Sequence, residues 1–158
     1  MNSLAQLFTS KEVLLDLDVQ DKGALFAAVG QLLQEHRGLV VATVVDALSA
    51  REKLDSTGLG EGVAIPHARM EGLSGALATV VRVNAPIAFD APDGKLVTYF
   101  FVLLVPVQAT EQHLQILTDV AQLFADEQFR QQIDMAKSQD EMYRLFSTWT
   151  GADLRKAA

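Results

Sequence analysis

The sequence predicts an α/β fold, a mixed β-sheet flanked by helices on both faces. Three observations support this prediction. Strand-like and helix-like segments alternate along the chain, and the C-terminal part is helical. Val97–Val105 is nearly continuous in apolar residues, which is typical of a central strand covered on both faces. The segment that starts near Glu111 carries a wide apolar stripe at helical spacing, so it can cover one of those faces.

Length and composition limit the class of protein. The 158 residues predict one domain, 1–158, with its core at about 10–150. The absence of cysteine excludes disulfides and cysteine-based metal sites, and the net charge of −7 argues against nucleic-acid binding. Met1–Thr9 lacks the features of a signal peptide, and the longest apolar run, Val97–Val107, is too short to cross a bilayer. We therefore expect a soluble cytoplasmic protein without membrane insertion.

The N-terminal half predicts one strand and two helices. Val13–Leu17 alternates weakly, as a short edge strand does. Asp21 can cap a helix that runs to about Arg37, and Gly38 follows in the position favoured just past a helix end. Thr43–Lys53 predicts a second helix with an apolar face, although it is rich in β-branched residues.

The C-terminal half predicts two strands and then three helices. Ala76–Val83 is the first strand, Asn84–Gly94 is a loop rich in turn residues, and Val97–Val105 is the second strand, ended by Pro106. The expected helix caps are Thr110, Asp126 and Ser138, the last forming a capping box with Glu141. Apolar side chains of the final helix are expected in the core, namely Met142, Leu145, Phe146 and Trp149.

A glycine-rich stretch in the middle of the chain carries the chemistry. Small and hydroxyl residues expose backbone N–H groups and supply hydroxyl donors, namely Ser56, Thr57, Gly58, Gly60 and Gly62. Val63–Ile65 is long enough only for a short strand, and Pro66 is expected to end its ladder because it has no N–H. The pattern predicts that His67 lies just past a strand end, beside a loop of donors. Such a site suits a histidine that meets an anion.

Residue chemistry alone leaves several functions open. Predicted strands end shortly before His67 and His113, and sites in open α/β sheets collect at the carboxyl ends of strands, so we expect the two rings to meet. A neutral histidine can accept a phosphoryl group and later release it. Alternatives are a hydrolytic or metal enzyme that also uses Asp90 or Glu61, and a domain that binds partners without being phosphorylated. The spacing of the histidines does not match common zinc motifs, so no metal is expected.

Several motifs occur in the order found in one known family. Residues 56–69 read S-T-G-L-G-E-G-V-A-I-P-H-A-R, and R-E-K precedes them at Arg51–Lys53. P-I-A-F-D-A-P-D lies at Pro86–Asp93, L-L-V-P at Leu103–Pro106, and a second histidine at His113. Together they resemble the type-2 enzyme IIA domains of the bacterial phosphotransferase system, the fructose–mannitol class. The stand-alone nitrogen-regulatory enzyme IIA is the most similar branch.

The resemblance implies a role for each site residue. His67 would be phosphorylated on Nε2, while Nδ1 donates to a fixed acceptor such as a backbone carbonyl. His113 would donate a hydrogen bond to the phosphoryl group, and Arg51 would neutralise its charge. Candidate donors to the remaining phosphoryl oxygens are Ser56, Thr57 and Gly58. No cofactor is implied.

The resemblance also implies partners. An HPr-type histidine phosphocarrier protein would supply the phosphoryl group, which makes the chain a phosphotransferase component without small-molecule turnover of its own. No IIB or IIC segment is recognisable, which favours the regulatory branch. In that branch the phosphorylation state controls target proteins such as potassium transport components or sensor kinases. The alternative is a sugar-specific enzyme IIA, of the fructose or mannitol type, that passes the phosphoryl group to a IIB domain.

Overall fold

The computed structural model describes residues 1–108 and 110–151. Two short 3-10 helices, Ser3–Gln6 and Ser10–Glu12, precede the sheet. The strands are β1 (Val13–Leu17), β2 (Gly58–Gly60), β3 (Val63–Ala64), β4 (His67–Met70), β5 (Leu77–Ile87) and β6 (Val97–Pro106). The helices are α1 (Lys22–Arg37), α2 (Val41–Leu54), α3 (Glu111–Ala125), α4 (Glu127–Met135) and α5 (Gln139–Thr148).

The predicted mixed sheet is confirmed. Its strands lie in the order β1, β5, β6, β3, β2, and β4 also pairs with β6. Strand β6 is antiparallel to β5 and parallel to β3 and β4, whereas β5 is parallel to β1. The edge position expected for β1 and the central position expected for β6 are therefore correct.

Helices cover both faces of the sheet, as predicted. Alternate residues of β6 belong to two separate apolar clusters. One cluster packs against α3, α4, α5 and the N-terminal 3-10 helices, and it contains Phe101, Leu103 and Val105. The other packs against α1 and α2, and it contains Phe100, Val102 and Leu104. This alternation explains why the strand sequence shows no polar face.

The sheet continues past Pro66, which corrects one prediction. Strand β3 pairs with the first half of β6, and β4 then pairs with its second half, with His67 opposite Leu103. Pro66 has no N–H, but its carbonyl accepts a hydrogen bond of 2.8 Å from the Leu103 N–H. His67 is therefore the first residue of a strand and not a loop residue beyond a strand end. Its backbone is fixed by the same β6 that forms the core.

Three other boundaries differ from the predictions. Asn84–Ile87 belongs to β5, because an irregular register after Arg82 accommodates Pro86, and Ile87 then pairs with Val97. Helix α2 begins at Val41 rather than Thr43. Gly58–Gly60 forms a short strand against β3 instead of an irregular loop. The first two differences extend predicted elements, and the third adds a short strand at the edge of the sheet beside β3.

The cap of α5 is only half of the predicted capping box. The Ser138 side chain accepts from the Glu141 N–H at 3.0 Å, as expected. The Glu141 carboxylate, however, accepts from the Lys137 N–H at 3.4 Å and not from that of Ser138.

Within the described part of the chain, none of the helices has the length and apolar character needed to cross a bilayer.

Candidate functional site

A cavity of about 590 Å³ lies where β4, the C-terminal half of α2 and the start of α3 come together. Both predicted histidines line it, together with Arg51 and Arg69. The remaining walls are apolar, contributed by Ala47, Ala50, Leu54, Ala68, Leu103, Val105, Leu114 and Leu117. The expectation that His67 and His113 meet in space is therefore correct, although 45 residues separate them in the chain.

His67 is held in one tautomer by the strand that carries it. Its Nδ1 lies 2.8 Å from the Ile65 carbonyl oxygen, and because a carbonyl only accepts, Nδ1 carries the proton. In the neutral ring, Nε2 is then the unprotonated nitrogen. Burial lowers the pKa of His67, and the positive charge of Arg51 lowers it further, although the Ile65 carbonyl and Glu52 act in the opposite direction. The neutral, nucleophilic form is therefore favoured.

His113 is held in the opposite tautomer by the helix that carries it. It is the third residue of α3, and its Nδ1 accepts a hydrogen bond of 2.9 Å from the Thr110 N–H. Because that backbone group only donates, the proton of a neutral His113 lies on Nε2. The cavity therefore contains one imidazole with a free Nε2 lone pair and a second with an Nε2–H donor.

Two arginines line the cavity beside the histidines. Arg51, in the last turn of α2, donates from Nη1 to the Asp55 carbonyl at 2.8 Å. Arg69 donates from Nη1 to the Val107 carbonyl at 3.0 Å. Arg69 was not among the predicted site residues. Its position two residues after His67 could have indicated it, because residues i and i+2 of a strand lie on the same face.

The predicted loop donors do not line this cavity. The Ser56 hydroxyl donates to the Phe89 carbonyl at 2.6 Å, and the Gly58 N–H donates to the Ser56 hydroxyl at 3.0 Å. The N–H and the hydroxyl of Thr57 both donate to the Glu52 carboxylate, at 3.0 and 2.6 Å. These hydrogen bonds hold the loop to the rest of the fold. The donors could contact a phosphoryl group, as predicted, only by giving up their present acceptors.

The acidic residues of the alternative metal site lie elsewhere. Asp90 pairs with Lys22 at 3.1 Å, and the Glu61 N–H donates to Asp93 at 2.9 Å. Neither Asp90 nor Glu61 lines the cavity of the two histidines. Among residues 1–108 and 110–151, no three histidine, aspartate or glutamate side chains are grouped so as to hold a metal ion.

Exposed apolar side chains surround the mouth of the cavity. Leu54 is 82% exposed and Leu114 is 60% exposed, and both line the cavity. Two other apolar residues near His67 in the chain, Met70 and Leu73, do not belong to this surface. Met70 is only 5% exposed, because alternate residues of β4 point into the core between the sheet and α1 and α2, and Leu73 packs against the same core. The accessible apolar surface is therefore formed by α2 and α3.

Comparison with known families identifies the class of protein. The family described as phosphoenolpyruvate-dependent sugar phosphotransferase system, EIIA 2, matches residues 6–149. The chain belongs to this family, as the sequence motifs had indicated. It is a phosphotransferase-system enzyme IIA component, and phosphoryl transfer is the chemistry of that class.

Individual relatives indicate the branch of the family. The nitrogen regulatory protein of Pseudomonas aeruginosa is 35% identical over 146 residues, which cover 92% of this chain and 95% of that protein. A crystal structure of nitrogen regulatory protein IIA-Ntr from Neisseria meningitidis matches with a TM-score of 0.86 and 40% identity, over 91% of this chain and 99% of that chain. The IIA mannitol crystal structure from Escherichia coli has a TM-score of 0.69 at 20% identity, over 87% of this chain and 97% of that chain, and this likeness shows the shared fold alone.

Proposed function

We propose that the chain is a phosphohistidine carrier of the nitrogen-related phosphotransferase system, and that His67 accepts the phosphoryl group on Nε2. The observation that carries this proposal is the pair of complementary tautomers in one cavity. His67 has its proton on Nδ1 at the Ile65 carbonyl, and His113 has its proton on Nε2 because its Nδ1 accepts from Thr110. One ring can attack phosphorus while the other donates to a phosphoryl oxygen.

The transfer step needs no cofactor. The Nε2 lone pair of His67 attacks the phosphorus of a donor phosphohistidine whose other ring nitrogen is protonated. A new N–P bond forms as the donor N–P bond breaks, and the donor ring leaves with that electron pair as a neutral imidazole. The Nδ1 proton of His67 stays in its hydrogen bond to Ile65 and stabilises the positive charge that the ring acquires.

Charge stabilisation falls mainly to three cavity residues. The phosphoryl group carries about −1.5 to −2 charges near neutral pH. His113 supplies an Nε2–H donor, and Arg51 and Arg69 supply positive charge in the same cavity. Each arginine now holds a backbone carbonyl, an acceptor that it can exchange for a phosphoryl oxygen. The donors of residues 56–58 are assigned a lesser part, since their hydrogen bonds already hold the loop.

The rim of the cavity supports a protein as phosphoryl donor. Exposed Leu54 and Leu114 form an apolar margin around two cationic side chains, and a protein surface with an apolar centre suits such a margin. We assign an HPr-type histidine phosphocarrier, in the cytoplasm, as that donor. The names of the relatives favour regulation of target proteins over sugar uptake. A target can distinguish the two states by the charge added at His67.

Transfer of labelled phosphate tests the function. Phosphoenolpyruvate labelled in its phosphoryl group is supplied with enzyme I and an HPr-type carrier, and acid-labile, base-stable label is measured on the chain. His36 is the matched control, because it is exposed in the last turn of α1. We expect label on wild type and on His36→Ala, and none on His67→Ala. An unlabelled wild type with carriers of both the sugar and the nitrogen branch would overturn the proposal. Onward transfer to a IIB protein would favour the sugar-specific alternative.

The docking surface has its own matched pair of variants. Leu114→Ser removes an apolar side chain at the cavity rim, whereas Met135→Ser removes one that is 74% exposed at the end of α4. We expect the first change to raise the KM for the HPr-type carrier about tenfold with little effect on kcat, and the second to alter neither. Equal KM values for the two variants would indicate that the carrier does not dock at the rim of the cavity.

A further inference from the structure

We infer that Glu52 is a positioning residue for His67 and acts through a continuous relay of hydrogen bonds. The relay runs from the Glu52 carboxylate through Thr57 and Ile65 to Nδ1 of His67. Its consequence for phosphoryl transfer rests on the proposed function. Its consequence for the tautomer of His67 can be measured in the unphosphorylated protein and does not depend on that function.

Glu52 is a buried carboxylate that accepts hydrogen bonds from Thr57 and from Lys22. It lies in the last turn of α2, and only 8% of the residue is exposed. One carboxylate oxygen accepts from the Thr57 hydroxyl at 2.6 Å, and the other accepts from the Thr57 N–H at 3.0 Å. The second oxygen also accepts from Lys22 Nζ at 2.9 Å. A buried carboxylate with three donors is a strong anchor for the segment that it holds.

The backbone continues the relay from Thr57 to the imidazole. The Thr57 carbonyl accepts from the Ile65 N–H at 3.0 Å. The Ile65 carbonyl in turn accepts from Nδ1 of His67 at 2.8 Å. The N–H and C=O of Thr57, like those of Ile65, belong to adjacent peptide groups joined through one Cα, so the series fixes the position of the Ile65 carbonyl rather than carrying charge along one amide. Glu52 therefore anchors the acceptor that holds the His67 proton, and its charge also acts on the ring through space, where it raises the pKa of His67.

A second network supplies a control with the same chemistry at another place. Glu12 is also buried, and one of its carboxylate oxygens accepts from the N–H and hydroxyl of Thr9 at 2.9 and 3.1 Å. Its cation is Arg37, at 2.9 Å, and the histidine nearest to it is His36, at 3.7 Å. Neither Glu12 nor Thr9 lines the cavity. Replacing Glu12 therefore breaks an equivalent threonine–glutamate–cation network without touching the relay.

The primary experiment is long-range ¹H–¹⁵N NMR of the imidazoles in Glu52→Gln and Glu12→Gln. The chain has three histidines, so three pairs of ring nitrogens report the tautomers directly. At about pH 8, above the lowered pKa of His67, we expect the wild-type His67 ring to be almost entirely protonated on Nδ1. In Glu52→Gln we expect a measurable population with the proton on Nε2 and a lower pKa for His67. In Glu12→Gln only His36 should change.

Thr57 separates positioning from direct phosphate contact. Thr57→Val keeps the Glu52 charge and the backbone bond but removes the 2.6 Å hydroxyl bond, one of the two bonds that anchor residue 57 to Glu52, whereas Thr57→Ser retains both. A loosened anchor predicts a shifted His67 tautomer in the valine variant, smaller than in Glu52→Gln, and recovery in the serine variant. Phosphoryl acceptance should be at least about tenfold slower in Thr57→Val and Glu52→Gln than in wild type and Glu12→Gln. The valine variant also serves if Glu52→Gln does not fold.

Two outcomes would overturn the inference. If the His67 tautomer is unchanged in folded Glu52→Gln and Thr57→Val, the relay does not position the ring, whatever the transfer rates. If Thr57→Val slows transfer with an unchanged tautomer, Thr57 acts on the phosphoryl group itself. A wild type that accepts no phosphoryl group would defeat the proposed carrier function and still leave the tautomer measurement to decide the relay.

Discussion

The two histidines of the cavity are held in opposite tautomers by the backbone groups that face their Nδ1 atoms. His67 meets a carbonyl through Nδ1 because it follows Ile65 in an extended segment, and His113 meets an N–H through Nδ1 because it lies in the first turn of α3. A strand carbonyl thus leaves Nε2 as a nucleophile, whereas the amide at a helix start leaves Nε2 as a donor. Backbone context, and not residue type, thus decides which ring has a free Nε2 lone pair and which has an Nε2–H donor.

The largest expected effect is the loss of labelling when one of the two rings is removed. His67→Ala should abolish labelling even though His113 remains in the cavity, because the Nε2 of His113 is protonated and cannot attack phosphorus. His113→Ala should still become labelled. Mapping the phosphohistidine by mass spectrometry under mild alkaline conditions checks both variants. Label on His113 in His67→Ala would mean that the tautomers do not assign the roles.

The second-largest expected effect is the loss of the Nε2–H hydrogen-bond donor of His113. His113→Ala should slow phosphoryl acceptance about a hundredfold, the usual magnitude for removing one preorganised hydrogen-bond donor. His113→Gln can place an N–H near the former Nε2 position, so it should recover part of the rate. Rapid-quench measurement of single turnovers gives both rates. A glutamine variant as slow as alanine would indicate that His113 matters through its contact with Thr110 rather than as a donor.

Local patterns predicted much of this arrangement. The apolar run of β6 and the wide stripe of α3 follow from hydrophobic periodicity, which depends on neighbours a few residues apart. His67 and His113 do line one cavity, but the rule used to expect this placed both after strand ends, whereas His67 begins β4. The inferences from periodicity succeeded because each depends on one element at a time.

Tertiary partners decided the features that sequence could not predict. The tautomer of each histidine depends on which backbone group faces Nδ1, and periodicity carries no information about that. The two donors of Thr57 looked free because Glu52, their buried partner, reads in the sequence as an ordinary charge in a helical pattern. Pro66 was predicted to end a strand because its lack of an N–H can be read from the sequence. Its carbonyl nevertheless accepts from the Leu103 N–H of β6, which lies 37 residues later in the chain, and local sequence does not reveal that partner.

The third effect concerns the charges around His67, which change the pKa of its ring. Arg51 contributes to the lowered pKa of that ring, so Arg51→Gln should raise the His67 pKa toward its usual value of about 6.5. The same change removes a cation from the phosphoryl site and should slow acceptance about tenfold. NMR titration of the three histidines measures the pKa, with His36 as internal reference. An unchanged His67 pKa would leave burial as the cause of its lowering.

The smallest effect concerns pH and stability. The pKa of His67 is lowered by folding, so between its folded value and about 6.5 the unfolded chain binds more protons than the native protein. The sign follows directly: His67 contributes a loss of stability as the pH falls through about 6.5, and no loss above it. His67→Gln has no ring to protonate and should lose less stability than wild type between about pH 7.5 and pH 5.5. Urea midpoints at the two pH values measure this difference between wild type and His67→Gln. A wild type that gains stability relative to His67→Gln on acidification would mean that folding raises the His67 pKa, and the ring would then be a poorer phosphoryl acceptor near neutral pH than its hydrogen bonds indicate.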